Sequence, residues 1–168
     1  MSQADEQLGP QNPAAWYARF GVSLHRYALM ILANRQDSED AVQQVFARLV
    51  QRRAPVKPDA VEAYLRTAVR NECFSLLRLR KRTNSDGDGA LLEAVAIDRG
   101  PDADERLALE AALRELPPDQ REVVHLKAFD GLTFQEIAEL TSESINTVAS
   151  RWRYAMEKLR TVLRSRPS

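Results

Sequence analysis

The chain has 168 residues, 44% hydrophobic and 29% charged, with 24 basic and 24 acidic side chains and a formal net charge of zero. These values suit a soluble globular chain of one domain or two small ones. One cysteine, Cys73, excludes an internal disulfide and a cysteine-based zinc cluster. No apolar run approaches membrane-spanning length, and the polar, acidic start "MSQADEQLGPQNP" is no signal peptide, so the expected compartment is the cytoplasm, without membrane insertion.

Glycine is scarce and the long segments are rich in Ala, Leu, Arg, Glu and Gln, which favours an all-α chain. Ala14 to Asn34 is a long amphipathic run carrying Trp16, Phe20, Leu24, Tyr27, Ile31 and Leu32. "RQDSED" supplies a turn and cap. "SEDAVQQVFARLVQRR" reads as a second helix with Ala41, Val45, Phe46 and Leu49 toward a core. A proline-bearing loop, "APVKPDA", precedes a third helix, "VEAYLRTAVRNECFSLLRLRKR", apolar on one face and increasingly basic toward its end. Basic residues at a helix C-terminus complement the macrodipole. Six basic residues in the seventeen positions 66 to 82 exceed what that role needs.

The segment "TNSDGDGALLEAVAIDRGPDADE" has turn residues, little periodicity and more than twenty positions, and reads as a flexible linker. The expected division is a helical domain over 12–82, an acidic linker over 83–103 and a second helical domain over 104–164. In the second domain Thr133 and Glu136 form a capping-box pattern that starts a helix at Phe134. Phe134, Ile137, Ala138 and Leu140 share its apolar face. After the turn-forming "TSES", Ser144 or Asn146 can cap a longer helix whose Ile145, Val148, Trp152, Ala155 and Leu159 repeat at helical spacing. Its other face shows Thr147, Ser150, Arg151, Arg153 and Tyr154. This is the layout of a helix-turn-helix with its second helix presented to a DNA major groove. The plainer alternative is a helical hairpin with solvated charges. His25 and His125 lie far apart and read as packing or surface residues.

Charge is segregated along the chain. Residues 66–82 carry a net +5, 83–105 a net −6, 106–143 a net −4 and 144–168 a net +5. Two basic blocks, one per half, flank an acidic span, and local field rather than whole-chain charge governs contact with a phosphate backbone.

"DSEDAVQQVFARL", "AYLRTAVRNECFSLLRLRKR", the acidic linker and "LPPDQREVVHLKAFDGLTFQEIAELTSESINTVASRWRYAMEKLR" together resemble a bacterial RNA polymerase sigma factor of the sigma-70 family, in the extracytoplasmic-function group. The resemblance runs from about residue 20 to 162, in order. It implies that Asp37, Glu39, Asp40, Gln43 and Phe46 grip the β′ clamp of core RNA polymerase, which with the β subunit would be the protein partner. Acidic and amide groups around one apolar anchor suit such docking. It implies that Tyr64, Arg66, Arg70 and Asn71, with Arg78 and Arg82, read and melt the −10 element. An aromatic, an amide and guanidiniums suit a separated strand. "QRRAPVKPDA" matches the place where the family captures a flipped base.

The −35 contacts implied are Arg121, Thr133, Asn146, Thr147, Ser150, Arg151, Arg153 and Tyr154, with Arg153 better placed for a base edge and Arg151 for a phosphate. The linker matches a segment that threads the polymerase channels; a plain tether is the alternative. Promoter DNA is the implied ligand and an anti-sigma factor a candidate partner. The chain departs from the family pattern at Tyr64, where Trp is usual, and at Ser75. It departs again in the turn Thr141-Ser142-Glu143, where Leu-Gly and an apolar residue are usual, and at Asn146, Ala149 and Tyr154. Several of these lie on the reading face.

A regulator that binds operators unaided is the competing class, but it has no need of the clamp pattern and the basic third helix. No phosphate loop, no metal-spaced His/Cys cluster and no nucleophile with a nearby base points to an enzyme, and no cofactor or metal is expected.

Overall fold

In the computed structural model, residues 12–52, 56–80, 91 and 103–165 are described. Helix α1 (Pro13–Leu32) begins with Asn12 accepting from the Ala14 amide at 3.0 Å, and proline occupies its first turn, where no amide hydrogen is needed. It ends at Ala33 in the left-handed conformation, φ 51°. Helix α2 (Arg35–Arg52) follows immediately. The cap is therefore Asn34, whose side-chain oxygen accepts from the Asp37 amide at 2.9 Å, and not a residue of "RQDSED", which is already helical. A left-handed residue followed by an Asn cap reverses the chain in two positions, leaving no need for a longer turn.

A short 3-10 turn (Pro58–Ala60) leads into α3 (Val61–Arg80). The Arg80 side chain closes this three-helix unit by donating to the Leu32 carbonyl at 2.9 Å and pairing with Asp37.

The second half comprises α4 (Ala103–Glu115), α5 (Pro118–Val124), a π turn (His125–Phe129), α6 (Phe134–Thr141) and α7 (Ile145–Arg164). Gly131, at φ 69°, supplies the left-handed step out of the π turn. Thr133 and Glu136 form both bonds of the capping box, and Ser144 caps α7 by accepting from the Thr147 amide at 3.1 Å. Between α6 and α7, Ser142 sits at φ 56° while the Glu143 amide donates to the Ala138 carbonyl at 3.1 Å. That is the six-to-one closure of a Schellman motif. All described regular elements are helical, as composition implied.

The two halves share their cores. Val123, Leu126, Ile137, Ala138 and Val148 pack into the same apolar cluster as Leu24, Tyr27, Val45, Leu65 and Val69. A second cluster joins Leu29 and Met30 to Leu113, Leu116, Val124, Ala155 and Leu159. Leu91 is fully buried in that second cluster, so the segment read as a linker contributes one core residue.

Ser142 is exposed and occupies a left-handed conformation that costs a residue with a Cβ roughly 1–2 kcal/mol. Ser142→Gly should raise stability by about 0.5–1 kcal/mol, read as a shift of about 2 °C in a thermal melt. Calorimetry checks it.

Candidate nucleic-acid and polymerase interfaces

Helix α3 carries two polar faces. Tyr64, Asn71 and Arg78 recur every seven residues, two helical turns, and all three are exposed. They form an outward stripe of an aromatic, an amide and a guanidinium. Arg66 and Arg70 lie about 200° and 240° around the helix from Tyr64 and point into the seam between the halves. Arg70 Nε donates to Glu122 Oε1 at 2.6 Å, and its guanidinium stacks 4.7 Å over the Phe74 ring. Arg66 reaches Asp130 at 3.3 Å and Glu62 at 3.2 Å. The sequence-assigned −10 set is thus split in this arrangement. Arg82 lies outside the described residues.

Glu122 is the centre of the seam. Tyr27 Oη donates to the same carboxylate oxygen as Arg70, at 2.5 Å, and Glu122 is wholly buried. Burial raises its pKa, opposed by the Arg70 charge and by the two hydrogen bonds. Burial likewise raises the Tyr27 phenol, with the Glu122 charge adding to it, so Tyr27 is a donor at any physiological pH. Beside them, Arg121 is 6% exposed. Its guanidinium donates to the carbonyls of Met30, Ile31 and Leu116 at 2.7–2.8 Å. Burial lowers its pKa to about 10, which leaves it charged at neutral pH. The residue placed by resemblance among the −35 contacts therefore sits in the interior here, joining the halves.

On α2, Asp40 and Gln43 are exposed and Glu39 is half-buried, forming an acidic and amide face. Phe46 is 8% exposed and meets the Tyr17 ring edge-on at 5.1 Å, so it supports that face from beneath instead of projecting from it. Asp37 is engaged with Arg80. An open groove of about 520 Å³ runs between α1 and α2 beside Glu39 and Gln43, lined also by Tyr17, Val22, His25 and Leu29.

On α7, Asn146, Arg153 and Tyr154 are exposed, and Thr147 and Ser150 are half-buried. The Arg153 guanidinium lies 5.2 Å over the Tyr154 ring. Arg151 is held between Asp119 and Glu143, each at 3.2 Å, a geometry that braces α7 against α5 and the turn. Thr133 is the exposed cap of α6, with its hydroxyl on the Glu136 amide. Cys73 is buried and its thiol is pushed up by desolvation, which removes it as a nucleophile. Among the described residues no cluster of ligands suits a metal, and no helix is long and apolar enough to cross a membrane.

Sequence reasoning missed Tyr27, Glu122 and Asp130. The available signal was Glu122 itself, an acidic residue running directly into the apolar Val123-Val124 pair of a short helix.

Two family models match the chain: sigma-70 region 2 over residues 16–83, and sigma-70 region 4 over residues 106–159. The chain is 30% identical over 143 residues to a protein of Rhodopseudomonas palustris named ECF RNA polymerase sigma factor EcfG, covering 84% of this chain and 79% of that one. It is 28% identical to the RNA polymerase sigma factor SigV of Bacillus subtilis, covering 81% of each. Among solved structures it superposes, with a TM-score of 0.65 and 28% identity, on the sigma factor RpoE in complex with the anti-sigma factor NepR from Bartonella quintana, over 86% of this chain and 92% of that one.

The seam also contains His125, 3% exposed, stacked on Tyr27 at 5.6 Å and 3.5 Å from Asp130 without hydrogen-bond geometry. Burial lowers its pKa from 6.5, and Asp130 only partly offsets that. The folded protein resists a proton that the unfolded chain accepts, so the contribution of His125 to stability is present above pH 6.5 and lost as pH falls below it. Wild-type protein should lose stability relative to His125→Phe between about pH 7.5 and pH 5.5. Melting curves of the two proteins across that range check this, and because Glu122 is common to both, its titration cancels.

Proposed function

The chain belongs to the extracytoplasmic-function group of RNA polymerase sigma factors, and from that premise we propose that it binds core polymerase and directs promoter-specific initiation by reading the −35 and −10 elements and assisting melting. One observation carries the finer reading. The outward stripe of α3 and the exposed face of α7 each present an aromatic beside guanidinium and amide groups, one within each of the two matched family regions.

On α3, Tyr64 offers a platform for an unstacked base and Asn71 a donor–acceptor pair for a base edge, while Arg78 neutralises phosphate. Stacking on a separated strand favours the melted state, because the ring contacts a base only after it has left the duplex. On α7, Arg153 with Tyr154 and Ser150 is suited to a base edge in the major groove. Arg151, braced by Asp119 and Glu143, positions the helix and can share a phosphate from the same place. Glu39, Asp40 and Gln43 form the docking face for the β′ clamp, with the β subunit as a further contact. The solved relative was captured with an anti-sigma factor, and a partner of that kind is part of this proposal. The place of action is the cytoplasm, with the polymerase.

Run-off transcription with purified core polymerase, followed by mapping of the start sites, tests the reading as a whole. Start sites identical with and without the chain would refute it. Reversing charge at Glu39 and Asp40 together should weaken core-polymerase binding about tenfold or more while leaving the melting temperature nearly unchanged. A pull-down or fluorescence titration measures it, and Phe46→Ala is the poorer probe because the ring is buried. Tyr64→Ala should lower open-complex formation on duplex promoters by roughly 1–3 kcal/mol, and a promoter premelted at the −10 element should recover part of the loss. Permanganate footprinting reads both, and Asn71→Ala should show the duplex defect as well.

A further inference from the structure

A recognition helix reaches base edges with its N-terminal residues. Helix α7 is longer than that task needs: its 20 residues span about 30 Å, against a major groove about 12 Å wide. The second half of α7 is held stiff from behind, where Ala155 and Leu159 are buried against Ala112 and Leu113 of α4. Its outer side carries Arg160 and Arg164, both exposed. They point about 20° to either side of the direction of Arg153. The three guanidiniums form a row about 16 Å long that begins on the face assigned to the −35 element.

The basic residues of α7 divide by side. Arg151 pairs with Asp119 and Glu143, and Lys158 comes to 4.0 Å from Glu115, so both have acidic partners within the protein. Among the described residues, no carboxylate lies within ion-pair distance of Arg153, Arg160 or Arg164. Glu157, the single acidic residue of α7, lies exposed beside the row and pairs with none of the three. We propose that Arg160 and Arg164 continue from Arg153 as a phosphate-binding row, which grips the duplex flanking the −35 element without regard to its sequence. This rests on the α7 assignment made above. A helix crossing the groove cannot keep its whole length against base edges, and its second half passes over the flanking backbone. Guanidiniums there neutralise phosphates and release counterions, which adds affinity and fixes the register in which Ser150 and Arg153 meet their bases. Continuity with those two residues on one side of one helix favours duplex DNA over an acidic protein surface.

The test uses holoenzyme assembled from core polymerase and the full chain with Arg160→Gln and Arg164→Gln combined. Both side chains are exposed, so the melting temperature of the variant should match wild type. Binding to a promoter fragment should weaken about fivefold or more, by the same factor for an intact and for a scrambled −35 element. The slope of log affinity against log salt should become shallower by about 1.8, for two contacts at about 0.9 each. A control with the same loss of charge away from α7, Arg19→Gln with Arg106→Gln, should change neither quantity; both residues are exposed. An unchanged slope overturns the proposal, as does a loss confined to the intact −35 element, or a loss that the control matches. Weaker binding of the double variant to core polymerase without DNA assigns the row to an acidic protein surface, and overturns it too. Arg153→Ala separates this failure from failure of the α7 assignment. If Arg153→Ala lowers discrimination at the −35 element while the double variant binds as wild type does, the row alone is wrong. If neither variant alters binding, the α7 assignment falls with it.

Discussion

The arrangement of the two halves depends on how the last turn of α1 is satisfied. A helix leaves its final four carbonyls without intrahelical partners. In α1 these belong to Leu29, Met30, Ile31 and Leu32. The Ala33 amide takes the first, Arg121 takes the next two, and Arg80 takes the fourth. Two of the four acceptors are therefore completed from the opposite half of the chain, by a buried guanidinium that also holds Leu116. The negative end of the helix dipole favours a cation there, and the same cation brings α5 to where Glu122 meets Tyr27 and Arg70. Removing any one member leaves a buried charge or carbonyl short of a partner, so the seam forms as a set.

Much of the fold was legible in the sequence. Helix spacing, the Thr133–Glu136 box and the Ser144 cap are local signals, and each is set by residues within one turn of the other. The turn at Ala33–Asn34 was misplaced because a left-handed alanine gives no compositional warning, whereas "RQDSED" looks like a cap. The faces of α3 were only half readable. Periodicity marks Leu65, Val69 and Cys73 as buried, but whether Arg66 and Arg70 face solvent or a second domain depends on contacts 50 and more residues away. Arg121 was the hardest case. An arginine at 6% exposure is uncommon, and only its carbonyl partners across the chain make it tolerable.

Segregated charge gives the net value of zero its structural meaning. The acidic stretch that follows α3 in sequence includes Asp119, Glu122 and Asp130, and these meet Arg151, Arg70 and Arg66 in space. Opposite signs that are separated along the chain come together across it. This neutralises the seam locally while the basic faces of α3 and α7 keep their outward field.

The acidic face of α2 points away from this seam, and its helix packs chiefly on α1 and α3. Glu39, Asp40 and Gln43 are therefore carried by a helix anchored in the first half. A large partner can be met first through α2, in a diffusional encounter whose rate owes nothing to domain rearrangement. Whatever happens at α3 then proceeds within the assembled complex as a first-order step.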